Sequence, residues 1–208
     1  IVNPTVLKHF NSVWKAADFL EYALPFYSNL GKQIQTQILH PLPIYRILNS
    51  IQEKNDWSVA ASRTSLEKYL KKHLISQDQF PEVRAPFAFG EVIQSARVDT
   101  KKLLSHYIKK IIHNKFISEK FDHKSMTHGE WIGYKDIQAR QIVFCEGYHG
   151  VENPYFNYLP LIGSKGEILI IKCDQLTEEV IFKGPIFLSP MGDNTFWVAT
   201  NHPTLLFL

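Results

Sequence analysis

The chain has 208 residues, 45% hydrophobic and 21% charged, with a formal net charge of +3. That balance excludes a disordered or collagenous chain and fits one sizeable domain or two small ones. Lysine pairs at 71–72, 101–102 and 109–110 lie on segments read as helices; a solvated helix face accounts for them, so no nucleic-acid partner is expected.

In chain order, residues 9–30 carry a helical apolar stripe, with Gly31 in a stopping position and Pro25 predicting a kink or two shorter helices. Residues 32–40 alternate and read as a strand, ended by Pro41 and Pro43. A short helix containing Trp57 is expected over 47–61, and another over 64–74 capped by Thr64 or Ser65. Residues 80–98 read as a strand region, and Asp99 as the N-cap of an amphipathic helix over 100–113. Strands are expected at 115–123 and 130–134, and 140–145 reads as a buried parallel strand closed by Glu146-Gly147. The last third, with β-rich runs at 166–173, 178–182, 185–190 and 194–200, predicts an antiparallel meander with a hairpin turn at 191–194.

No run reaches the ~18 apolar residues of a membrane span, and no signal peptide is visible. The chain begins at Ile1 rather than Met, which predicts that a segment upstream is missing. Cys145 and Cys173 form no CxxC pair and sit in apolar runs, so buried, reduced thiols and a cytoplasmic location are expected.

Cys145 and His149 are four apart, but Gly147 interrupts any helix that would put them on one face, so structural use outweighs a nucleophile pair. Asp122, His123 and His128 match no standard metal spacing, so no metal is expected. There is no GxSxG, no GxGxxG and no GxxxxGK[ST]; Gly147 and Gly150 supply only a GxxG after an apolar run. No catalytic acid, base or nucleophile stands out.

Three stretches, in order, resemble the FAD-dependent oxidoreductases of the D-amino-acid oxidase and glycine oxidase superfamily. Ile1-Val2-Asn3-Pro4-Thr5, followed by the Trp14 helix, resembles the passage out of the flavin domain. Ile142 to Gly147 resembles the strand and Glu-Gly turn near the cofactor, and Leu159-Pro160 with Lys165-Gly166-Glu167 resembles the family's Pro-x-x-Gly-Glu strand. The hairpin from Ile186 to Val198 resembles the strand pair that follows, and Gly90 with Val98-Asp99 resembles the return to the flavin domain.

The resemblance implies a mixed α/β fold: a partial FAD/NAD(P)-binding, Rossmann-like layer plus a mixed antiparallel-sheet substrate domain with helices on one face. It divides the chain into 1–98 and 151–208, the two halves of a discontinuous substrate domain, and 99–150, part of the FAD-binding domain. FAD is the implied cofactor, with Phe121, Glu146, Gly147 and Tyr148 beside it; a small-molecule amine or amino acid is the implied substrate. Family features absent from the sequence include the GxGxxG segment, its ribose-binding acid, the closing C-terminal helix, a Gly-x-Thr where Ala199-Thr200-Asn201 stands, and a carboxylate-pairing Arg after the hairpin Pro, where Met191 stands. Arg46, with Tyr45 beside it, is the substitute carboxylate site, and Phe89 a candidate pocket wall for which core packing is the simpler role. The rival expectation is a relic or binding domain that keeps the fold without flavin.

Overall fold

A computed structural model describes residues 1–163 and 166–200. Its elements run β1 (Thr5–Val6), β2 (Asn11–Ser12), α1 (Ala16–Gln33), β3 (Leu39–Pro41), β4 (Ile44–Leu48), α2 (Ile51–Ala60), β5 (Leu70–Ile75), β6 (Ala88–Val92), β7 (Ala96–Val98) and α3 (Thr100–Lys110). Then follow β8 (Met126–Thr127), β9 (Ile132–Tyr134), β10 (Ile137–Ala139), β11 (Glu167–Lys172), β12 (Ile181–Lys183), β13 (Phe187–Gly192) and β14 (Thr195–Thr200). The architecture is mixed α/β. None of the described helices is long and apolar enough to cross a membrane.

The chain forms two compact units: Ile1–Asn114 with Gly166–Leu208, and Lys115–Lys165. The first is built on a seven-stranded sheet of order β11-β14-β13-β12-β4-β6-β5. Its pairs are antiparallel except β12 with β4, which run parallel with Phe182 opposite Tyr45 and Lys183 opposite Arg46. Strand alternation splits the core. Ile44 and Leu48 join Trp57, Val92 and Ile181 in one cluster; Tyr45 and Ile47 pack with Phe89 and Phe182 in another. β3 pairs with β7 in a separate two-stranded sheet.

Local chemistry explains the helices. Ser50 caps α2 by accepting from the Glu53 amide at 3.0 Å, while Glu53 reaches back to accept from the Asn49 amide at 2.7 Å, a variant of the capping box. Asp99 caps α3 through the Lys102 amide at 3.0 Å, as expected, and Lys109 and Lys110 lie in its last turn.

Several expectations are corrected. Pro25 neither splits nor ends α1, which runs on through Gly31 to Gln33, so most of 32–40 is not strand. Gly31 is buried, and a Cβ there would come 3.0 Å from the Thr36 carbonyl oxygen; it serves close packing rather than a stop. The helix expected over 64–74 is absent, because Leu70–Ile75 pairs with β6 as a sheet-edge strand. Its apolar residues report burial, which a strand satisfies as well as a helix.

The second unit is antiparallel, with order β10-β9-β8. Residues 115–123 and 140–145 form no strand, so the parallel layer expected there is not present among the described residues. Without a neighbouring strand the second run has nowhere to bury: Val143 is 81% exposed, and Cys145 is exposed rather than buried. The meander of the last third is present, and Asp193 and Asn194, both at φ 55, make its hairpin turn.

Candidate functional site

The first unit holds Tyr45, Arg46 and Phe89 on the adjacent strands β4 and β6, with Arg46 opposite Gly90 and Ile47 opposite Phe89. The pleat sends them to different faces. Tyr45 enters an aromatic cluster, 5.4 Å from Phe80 and 6.2 Å from Phe89 between ring centres. Burial, then Glu91 and Glu179, raises its phenol pKa above the ordinary value. Phe89 is fully buried.

Arg46 lies on the other face. Its Nη2 donates to Glu53 Oε1 at 2.8 Å, and Nη1 donates to the Ile47 carbonyl. Beside it lies a cavity of about 230 Å3 whose polar lining includes Lys8, His9, Glu53, Asp56 and Arg63. Lys183 stands next to Arg46 across the parallel register. Burial, then the Arg46 charge, holds its ammonium pKa below the usual lysine value. The ammonium donates to the Gly184 carbonyl at 2.8 Å and sits 4.4 Å from the centre of the Phe187 ring. Arg46 and Lys183 thus set two cations side by side on neighbouring strands, with Glu53 already paired to Arg46. Sequence reading missed Lys183; a lone lysine in the apolar run Ile181-Phe182-Lys183 was the available signal. Met191 is 42% exposed on β13.

The second unit holds the other four nominated residues. Phe121 lies on no strand; its ring stacks on Tyr134 at 4.2 Å and 20°. A cavity of about 360 Å3 is walled by Ile117, Phe121, Ile132, Tyr134 and Ile137, with Glu119 among its polar groups. Glu119 accepts from Lys135 at 2.6 Å, and that bond holds its carboxyl pKa below the ordinary value.

Glu146 is clasped on both oxygens: Oε1 lies 2.8 Å from His123 Nε2, and Oε2 accepts from Asn153 Nδ2 at 2.6 Å. Asn153 is fully buried, and its Oδ1 accepts from the Tyr155 amide at 2.9 Å. This arrangement ties the Asp122–Ser125 turn to the Glu146–Tyr155 segment and can hold a proton between Nε2 and Oε1. His128 turns instead to the Tyr155 hydroxyl, 2.7 Å away, so His123 and His128 do not converge. Gly147, at φ +57, has open space where a Cβ would stand. Tyr148 is 65% exposed.

No family model matches the chain. Among solved structures it is similar to glycine oxidase from Geobacillus kaustophilus, at TM-score 0.65 and 12% identity over 89% of this chain and 54% of that one. It is similar also to iminodiacetate oxidase from Chelativorans sp. BNC1, at TM-score 0.65 and 14% identity over 96% of this chain and 61% of that one. The likeness to these two oxidases is one of fold. The chain spans between about half and three fifths of the length of the two oxidases it resembles.

Proposed function

We propose that the chain is part of an FAD-dependent oxidoreductase acting on an amine or amino acid, contributing its substrate domain and a piece of its flavin domain. The supporting observation is a D-amino-acid-oxidase-like fold along nearly the whole chain, shared with two oxidases named for glycine and iminodiacetate. Both named substrates carry a nitrogen one carbon away from a carboxylate.

The residues fit part of the cofactor. The apolar wall of Phe121 and Tyr134 suits a flat base, with the Glu119 carboxylate as a nearby acceptor. Gly147 leaves its backbone approachable, and the Glu146 clasp fixes the turn that carries Gly147 and Tyr148. The 208 residues contain no GxGxxG to receive a pyrophosphate. When bound, the flavin supplies the hydride acceptor.

In this reading Arg46 orients the substrate carboxylate with Lys183 as the second cation, and Phe89 backs Tyr45 from the core. Orientation is the protein's main task, since hydride transfer asks for a held C–H bond rather than a nucleophile.

The rival, a binding domain without flavin, draws support from Arg46, whose guanidinium is already closed by Glu53. The two separate on one preparation. Full-length protein of the proposed kind carries the two visible absorption bands of oxidised flavin, and these bleach anaerobically with an amine or amino-acid substrate. A colourless protein that takes up no added FAD sinks the oxidoreductase reading.

A further inference from the structure

α1 shows solvent a row of rings that the sheet does not use. Trp14, just before the helix, is 73% exposed; Phe19, Tyr22 and Phe26 are 53%, 72% and 45% exposed. The last three follow at spacings of three and four, which places them along one side of the helix. Ala16, Leu20 and Gly31 anchor the helix by a different side, while Leu30, four residues past Phe26, ends the ring row in a buried cluster with Ile34 and Ile38. The exposed rings are ordered against one another: Trp14 meets Phe19 edge-on at 5.9 Å, and Tyr22 stacks on Phe26 at 5.8 Å.

Area favours a protein partner. An aromatic side chain presents about 150–250 Å2, so these four leave roughly 500 Å2 of ring surface in water, near the top of the range for a monomer's largest apolar patch. Two such faces together reach on the order of 1,000 Å2, the lower bound for a specific interface.

Charge favours a second copy. Exposed Asp18 lies in the first turn, exposed Glu21 follows it, and exposed Lys32 lies in the last turn. All three are on the same flank of the ring row by helical angle. An antiparallel twofold pairing sets like flanks against each other, so the acidic start of one helix meets the basic end of the other. It also opposes the two helix dipoles.

We propose that the aromatic face of α1 docks a second copy of the chain through an antiparallel, isologous helix pair. Trp14 and Tyr22, the most exposed rings, anchor it. The proposal is independent of the flavin reading.

Sedimentation equilibrium of the full-length protein across the micromolar range tests it. The expected result is a monomer–dimer equilibrium whose dissociation constant rises about a hundredfold in Tyr22→Glu/Phe26→Ser, with an unchanged circular dichroism spectrum. Asp18→Lys weakens the dimer about tenfold, and Asp18→Lys/Lys32→Asp restores it; this charge pair keeps the test decisive if the double ring variant fails to fold. A monomer at every concentration overturns the proposal. So does a dimer indifferent to both sets of variants, or a monomer that instead floats with vesicles of phosphatidylcholine and phosphatidylglycerol.

Discussion

The indole of Trp57 lies against the backbone of Gly90: a Cβ added there would stand 2.5 Å from both Cδ2 and Cε2 of the ring. Trp57 is fully buried, and its Nε1 donates to the Lys71 carbonyl at 3.0 Å. The ring is therefore held between β5 and β6 and has no room to retreat. Gly90→Ala should destabilise the protein by about 3 kcal/mol. Trp57→Phe/Gly90→Ala should cost less than the two single changes summed, because the smaller ring admits the methyl. Urea unfolding midpoints of the three variants check both statements.

The Glu146 clasp should be the weak point of the second unit. Glu146→Gln presents an amide N–H where a carboxylate oxygen accepted, so either the buried Asn153 loses its acceptor or the His123 ring must switch to accepting at Nε2. A cost of about 1–3 kcal/mol is expected. Hydrogen exchange should quicken at 122–127 and 146–156 in this variant and remain unchanged along the first unit's sheet.

Stability should fall toward acid through His40. Burial, then Arg97, holds its folded pKa below the ordinary 6.5, and its Nε2 is buried with no partner among the described residues. Below 6.5 the unfolded chain binds a proton that the folded one resists, so stability drops as pH falls toward the folded value. Lys183 gives the same sign in alkali: its folded pKa lies below the ordinary 10.5, so stability rises as pH climbs toward that value. Denaturant midpoints between about pH 5 and pH 10 should show the acid limb flattened by His40→Asn and the alkaline limb by Lys183→Met.

The two edges of the seven-stranded sheet are unequally guarded. β5 carries Lys71 and Lys72 at a register break. β11 shows Ile168, Leu169, Ile170 and Ile171 at 55%, 47%, 56% and 36% exposure. Cys173 N donates to Asn194 O, so by alternation Ile170 turns its amide away from β14. An apolar edge of this kind invites pairing between chains. Ile170→Lys should raise soluble yield and delay the onset of light scattering on warming.

If the proposed function holds, Arg46 governs substrate affinity in the full-length protein. Arg46→Lys loses the forked geometry and should raise KM for a carboxylate substrate about tenfold with kcat little changed. Glu53→Gln, which frees the guanidinium from its ion pair, should lower KM. Steady-state rates across substrate concentration separate the two effects.

The sequence by itself determined the features whose signal is local. The Asp99 cap, the helix carrying Trp57 and the 191–194 hairpin turn depend on groups a few residues apart, and the fold has all three. The ordered stretches that resemble the D-amino-acid oxidases also pointed to a mixed α/β fold of the kind found. Tertiary structure decided the rest. Apolar residues at 64–74 record burial, and only pairing with β6 makes part of that run a strand; the run at 140–145 finds no partner strand among the described residues and lies largely in solvent. The partners of the nominated residues were likewise out of reach. Arg46 meets Glu53 because β4 and α2 pack together, Lys183 reaches Arg46 through a parallel pairing 137 positions long, and Glu146 meets His123 across 23 residues. A side chain's charge is written in the sequence, but whether it is free to hold a ligand depends on what folding brings against it.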